Sequence, residues 1–287
     1  MDKNIIVGTA QFFRSYGINN NNNIIQTEDV REIFQEMNLH AITHIDTANN
    51  YNNTFQISKI FKNFKMMEYV LKVSNDNKNK IEKIIEIEKQ KFTKYPDTLL
   101  AHSSEFYMDR EFINLCKALK ENNKIKKIGV SLYSSNEIDL VLEKFKPDVV
   151  QLPLNIINNS LLKSNSIKNL LSQKIDVHIR SIFSQGLLNL SENRITKLFP
   201  EKKIEIQELF RISKKYKILL PDLSLLWVYN LKSINNYVLG VDNKFQLRHN
   251  VELLQNKEYD TTTLNAISNE ILSLNFDNSR IIDPRQW

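Results

Sequence analysis

The chain has a single cysteine, Cys116, so no disulfide can form within it, and only five glycines among its 287 residues. A disulfide-stapled secreted scaffold is excluded on the first count. After the first apolar run, where a G-x-G-x-x-G turn would open a doubly wound nucleotide-binding sheet, the chain instead reads GTAQFF. No apolar stretch has the unbroken length of a membrane span, and the opening MDKNIIVGTAQ lacks the apolar core of a signal peptide. These features lead us to expect a cytoplasmic protein that does not sit in a membrane. The net charge of +6 is spread as lysines over many helices among abundant Asn and Ile, with no basic stripe, so a nucleic-acid partner is not expected.

What the chain does have is 41% hydrophobic and 25% charged residues, the balance of an ordinary globular protein. Short β-branched runs alternate with longer segments of helical spacing. The runs are NIIVG, ITHID, YVLKV, DTLLAH, KKIGVS, DVVQL, DVHIRS and NYVLGV. Eight such units predict an α/β fold in which a parallel sheet closes into a (β/α)8 TIM barrel, a single domain over 1–287. An open doubly wound sheet is the alternative. Helix starts are read at Thr27 or Asp29, Asp109, Asn136, Gln246 and Thr263, each ahead of apolar residues at helical spacing. Cys116 falls on the stripe Phe112, Leu115, Cys116, Leu119 and reads as a small core residue. The asparagine run Asn19 to Asn23 reads as a surface turn.

In such a barrel the C-terminal ends of the strands surround one shared site. The segment HIDTANNY then places Asp46 at the end of the second strand and Tyr51 in the loop that follows; the third strand contributes Lys72 and the fourth His102. Reducing a carbonyl requires an acid for the developing alkoxide, and an unassisted phenol, with a pKa of about 10, is a poor one near neutrality. A neighbouring ammonium favours the phenolate, and a carboxylate keeps that ammonium charged and in place. Read one at a time, these are as readily a helix cap, an edge tyrosine, a snorkelling lysine and a strand-end histidine. Together they form an acid apparatus suited to hydride transfer.

The sequence resembles the aldo-keto reductases over almost its whole length. The likeness lies in GTAQF, HIDTANNY, LKVS, LLAHSS, IGVSLYS, VVQLPLNIINNSLL, VHIRSIFSQGLL and LGVDNKFQLRHN, in that order, and in the family's D-T-A-x-x-Y signature at Asp46 to Tyr51. The resemblance implies NAD(P)H-dependent reduction of an aldehyde or ketone, with Tyr51 as proton donor, Lys72 and Asp46 as its tuning pair and His102 at the carbonyl. It implies cofactor contacts at Gly8, Thr9, Ser131 and Gln151, with Arg180 stacked on the nicotinamide. Ser181, Gln185, Gly186 and Leu187 would follow the pyrophosphate, and Gly240, Gln246 and Asn250 the adenosine. Phe12, Tyr16, Tyr133 and Trp287 are the candidate walls of the substrate pocket. VHIRSIFSQGLL and the tail IIDPRQW look like a bacterial branch associated with surface-sugar pathways, which implies a sugar-derived carbonyl.

Several departures from the family pattern stand out. Asn52 replaces a glycine after the tyrosine, Phe55 replaces an acidic residue, and Leu132 replaces an asparagine beside the carboxamide. The basic pair that many members place on the 2′-phosphate is missing from its usual positions, and Lys244 and Arg248 are the expected substitutes, which favours NADP(H) over NAD(H). Two rival functions are a cofactor-binding regulatory protein on the same scaffold and a metal-dependent barrel hydrolase drawing on His44, Lys72, His102, His178 and Asp242. The hydrolase lacks a His-x-His pair and leaves Tyr51 without a role, so no metal is expected.

Overall fold

The computed structural model describes all residues except 1–2, 19–23, 75–80, 233, 257–258 and 278. The asparagine run lies outside the described residues. The first half of the chain contains β1 (Asn4–Gly8), α1 (Thr27–Leu39), β2 (His44–Ala48), α2 (Thr54–Phe61), β3 (Glu68–Val73), α3 (Ile81–Phe92) and β4 (Thr98–Ala101). It continues through α4 (Ser104–Tyr107), α5 (Arg110–Glu121), β5 (Lys127–Ser131), α6 (Ser135–Lys144) and β6 (Val149–Pro153). The second half contains α7 (Ser160–Lys163), α8 (Ser166–Ser172), β7 (Asp176–Arg180), α9 (Glu192–Leu198), α10 (Lys203–Tyr216) and α11 (Leu220–Tyr229). It ends with β8 (Asn236–Gly240), α12 (Lys244–Gln255) and α13 (Thr261–Ser273).

All eight expected strands form. Each pairs in parallel with the next, and β8 closes on β1 with Val7 opposite Leu239 and Gly8 opposite Gly240. The fold is a (β/α)8 barrel, and the open-sheet alternative is set aside. Successive strand residues point to opposite faces. Outward residues such as Val7, Ile45, Leu71, Leu99 and Val150 join the large core beneath the helices, while Val70, Leu100 and Val149 form a small apolar cluster of their own. Lys72, His102 and Gln151 lie two residues beyond those three. The same alternation therefore carries them onto the inner face one step nearer the C-terminal mouth.

The helix caps partly differ from the sequence expectation. Asp109 caps α5 as expected, accepting from the Glu111 and Phe112 N–H groups, and Cys116 is buried on that helix. At α1 the cap position is Gln26, whose N–H donates to Asp29. α6 is capped by Ser134 instead of Asn136, α12 by Asn243 ahead of Gln246, and α13 by Asp260 ahead of Thr263. At α6, α12 and α13 a short polar side chain two or three residues upstream already accepts from a free N–H group of the first turn. Among the described residues no helix is long and apolar enough to cross a membrane.

Candidate active site

Neighbouring strands bring Asp46 and Lys72 together in an ion pair with both side chains almost fully buried. From β6, across the barrel, the Gln151 amide donates to the second Asp46 oxygen at 2.8 Å. The Asp46 carbonyl accepts from the Thr9 N–H at 2.9 Å and from the Thr9 hydroxyl at 3.0 Å. The Asn53 amide in turn donates to the carbonyls of Thr9 and Phe12. A buried charge pair is tolerable only when its remaining polar atoms are satisfied, and this one is held from several directions. Burial by itself would push the Lys72 ammonium towards neutrality. The Asp46 charge, Tyr51 and the hydrogen bond to Asp46 together outweigh it, and the lysine is held above its ordinary value.

Tyr51 ends a short 3-10 turn, Asn49–Tyr51, after which Asn52 takes left-handed backbone angles with φ of 58°. The family's glycine is thus replaced by the residue that best tolerates that conformation. The Lys72 ammonium lies 5.5 Å from the centre of the Tyr51 ring and the Arg14 guanidinium 6.0 Å from it. His102 meets the phenol edge-on, with ring centres 6.5 Å apart, and its Nδ1 lies 3.3 Å from the Asn50 amide nitrogen. Burial, reinforced by Tyr51, raises the neighbouring Tyr16 phenol well above its ordinary value, so it stays protonated.

These groups lie along a groove of about 1440 Å³. Asp46, Tyr51, Lys72 and His102 line its inner end, together with Tyr16 and Tyr133. Ser131 and Arg180 also face it, and the Arg180 Nε–H donates to the Ser131 hydroxyl at 3.2 Å. The Arg180 guanidinium lies 4.3 Å from the Tyr133 ring, and that of Arg285, from the C-terminal tail, lies 3.8 Å from the same ring. Ser181, Gln185 and Gly186 form one wall, and Gly8, Gly240, Gln246 and Asn250 continue the groove towards α12. The wall is strained, with φ of 59° at Ser181, 50° at Ser184 and 50° at Gln185. It is braced by the first loop, where Ile18 donates to the Gln185 carbonyl; a Cβ on Gly17 would lie 2.5 Å from that oxygen.

Several expected contacts are placed elsewhere. Thr9 is fully buried with its hydroxyl on Asp46, and Leu187 is core, so neither lines the groove. Gln151 is also buried; its amide nitrogen serves Asp46, while its Oε1 is buried without a partner. Phe12 is core, bridged to Ile25, and Trp287 packs on Phe199 with its indole N–H on the Arg280 carbonyl; both depart from the pocket-wall expectation. Lys244 is paired with Glu32 at 2.7 Å, and Arg248 holds Glu36 through two bonds of 2.8 and 2.7 Å. The two substitute cations therefore face α1.

The residues weighed for a metal are scattered. His44 lies 3.8 Å from Asp97 at the N-terminal end of β2, and His178 is buried with its basicity lowered to about 4, chiefly by that burial. Asp242 accepts from the Gln11 and Gln246 side chains. Among the described residues, no three His, Cys, Asp or Glu side chains are grouped to hold a metal. Contacts that the sequence did not signal are Asn50 on His102, Arg14 beside Tyr51 and Arg285 on Tyr133. A second group is Leu219 and Phe245, exposed apolar residues on the groove; their apolar character near two helix starts, where polar residues are usual, was the available clue.

The sequence profile of the Aldo/keto reductase family matches residues 4–270. The chain belongs to that family. It is therefore an NAD(P)-dependent oxidoreductase. Among solved structures it is similar to the holo form of an aldo-keto reductase from Bacillus halodurans, with a TM-score of 0.74 at 18% identity, covering 93% of this chain and 91% of that one. An aldose reductase from Giardia lamblia gives 0.69 at 16% identity over 98% and 96% of the two chains. An aldo-keto reductase from Klebsiella pneumoniae in complex with NADPH gives 0.70 at 14% over 94% and 95%. At these identities the likeness is one of fold. No curated protein matches the chain by sequence.

Proposed function

We propose that this aldo-keto reductase reduces the carbonyl of a small aldehyde or ketone, with Tyr51 delivering the proton. One observation carries the reading: a buried Lys72–Asp46 pair lies 5.5 Å from the centre of a groove-facing phenol. When bound in the groove, the nicotinamide cofactor supplies the hydride. The residues present fit such a group. Gln151 Oε1 is an unpartnered buried acceptor, Ser131 and Arg180 offer polar atoms beside it, and the groove is long enough to continue past Gly240.

The protein's own part is proton delivery and orientation. As negative charge grows on the substrate oxygen, the Tyr51 hydroxyl gives up its proton to it, and the Lys72 ammonium stabilises the phenolate left behind. Lys72 does not supply that proton itself, because Asp46 holds it charged. The Asn50 amide donates to His102 Nδ1, which leaves the ring's hydrogen on Nε2 as a second donor for the carbonyl oxygen. Tyr16, Tyr133 and Arg180 give this end of the groove hydrogen-bonding walls. Such walls suit a hydroxylated, sugar-derived carbonyl better than an aliphatic one, and the cytoplasm is the compartment we propose.

Single-turnover oxidation of bound NADH or NADPH by a panel of aldehydes and ketones tests the reading, with wild type set against Tyr51→Phe. A loss of turnover with cofactor binding retained is expected; equal rates in both proteins would remove Tyr51 as the acid. Brisk use of simple aldehydes with no turnover of any sugar aldehyde or keto sugar would remove the sugar-derived substrate.

A further inference from the structure

The outer end of the groove has features that the proton chemistry does not use. Leu219, just ahead of α11, and Phe245, in the first turn of α12, are 72% and 64% exposed, yet both line the groove. Large apolar side chains left in water at the rim of a cavity are suited to a flat apolar ligand. Beside them the lining is anionic, with Asp222 and Asp242 on the same stretch of wall. Asp222 is hydrogen-bonded to the His249 ring at 2.9 Å, whereas Asp242 is met by the amides of Gln11 and Gln246 at 3.3 and 3.2 Å. The groove's Lys and Arg residues, Lys72 and Arg180, both belong to the inner end.

The cations that would welcome a phosphate here are engaged behind the wall. Lys244 comes within 5.3 Å of the Phe245 ring, but its ammonium is bonded to Glu32. Arg248 grips Glu36 by both of its bonds, and that guanidinium holds the Glu36 carboxyl below its usual range. A phosphate dianion placed at this end would face the Asp242 carboxylate with no Lys or Arg among the described residues that line it there, a like-charge arrangement that is unfavourable at short range. A ribose diol at the same place is neutral and donates hydrogen bonds, which a carboxylate accepts.

We propose that this outer end is an adenosine site selective for NAD(H) over NADP(H), with Phe245 and Leu219 flanking the adenine and Asp242 favouring the ribose diol while rejecting a 2′-phosphate. The inference rests on the reductase reading above, because it assumes that the nicotinamide lies at Tyr51. It also reverses the preference expected from Lys244 and Arg248 as free cations.

The test is fluorescence titration of the full-length protein with NADH and with NADPH at fixed ionic strength. NADH binding at least tenfold tighter is expected. Phe245→Ala should weaken both nucleotides several-fold, and Glu32→Gln, which releases Lys244, should improve NADPH binding while leaving NADH little changed. Asp242→Asn should narrow the NADH preference. NADPH binding equal to or tighter than NADH would overturn the selectivity and leave the reductase reading intact, and an unchanged NADH affinity in Phe245→Ala would overturn the adenine clamp. Failure of both nucleotides to bind, in a protein whose circular dichroism shows it folded, would overturn the reductase reading itself and the inference with it.

Discussion

The two ends of the groove are built on different principles. The inner end rests on strands: Asp46 and Lys72 are buried, and Gln151 and Thr9 fix the carboxylate and the backbone behind it. The outer end rests on loops and helix starts, with Phe245 and Leu219 exposed and the nearby charges held by side-chain pairs between α1 and α12. Proton delivery requires fixed distances, so the inner end is over-determined. A recognition surface requires only matching shape and charge, and it is made of parts that change without disturbing the barrel.

Substitutions should separate the ends in that order. Tyr51→Phe should lower kcat by about 10²–10⁴ with cofactor affinity unchanged, since only the proton is lost; rapid-mixing kinetics with a good aldehyde substrate would check it. Lys72→Met should abolish activity and also cost about 3–5 kcal/mol in urea unfolding, because Asp46 is left buried and unpaired. A Lys72→Met, Asp46→Leu double variant should regain much of that stability and none of the activity. If the single variant unfolds like wild type, the inner end is less tightly built than the contrast requires.

Buried His178 on β7 supplies a pH effect of its own. His178 is held neutral by burial, with its value lowered from 6.5 to about 4. Below pH 6.5 the unfolded chain gains a proton there that the folded chain refuses until about pH 4, so stability should fall as pH drops through that window, by on the order of 3 kcal/mol. Unfolding free energies from urea titrations between pH 7 and 4, for wild type and His178→Gln, should diverge by that amount. At the outer end Phe245→Ala should change stability by about 0.5 kcal/mol or less, since the ring is exposed, while nucleotide affinity still falls. A large stability loss there would make Phe245 a packing residue and blur the contrast.

The inner end was far more legible in the sequence than the outer one. A strand's alternation is local, so β-branched runs such as YVLKV and KKIGVS located the strands and their C-terminal ends, and the D-T-A-x-x-Y spacing brought Asp46 and Tyr51 to the same mouth. Nothing local distinguishes Phe12, which is core, from Tyr16, which faces the groove four residues later. Trp287 was legible as an aromatic but not as the partner of Phe199, which lies on a distant stretch of chain.

The amino-acid order by itself determined the barrel and the set of chemical groups at its mouth, because strand periodicity and the spacing of Asp46, Tyr51, Lys72 and His102 depend on near neighbours along the chain. Only the tertiary structure decided which groups remain available to a ligand. Lys244 and Arg248 have the charge that a phosphate needs, but α1 packs against α12 and presents Glu32 and Glu36 to them from 212 residues away. An ion pair forms with whichever partner the packing brings within a few ångströms, and such proximity is a property of the folded chain rather than of its sequence spacing.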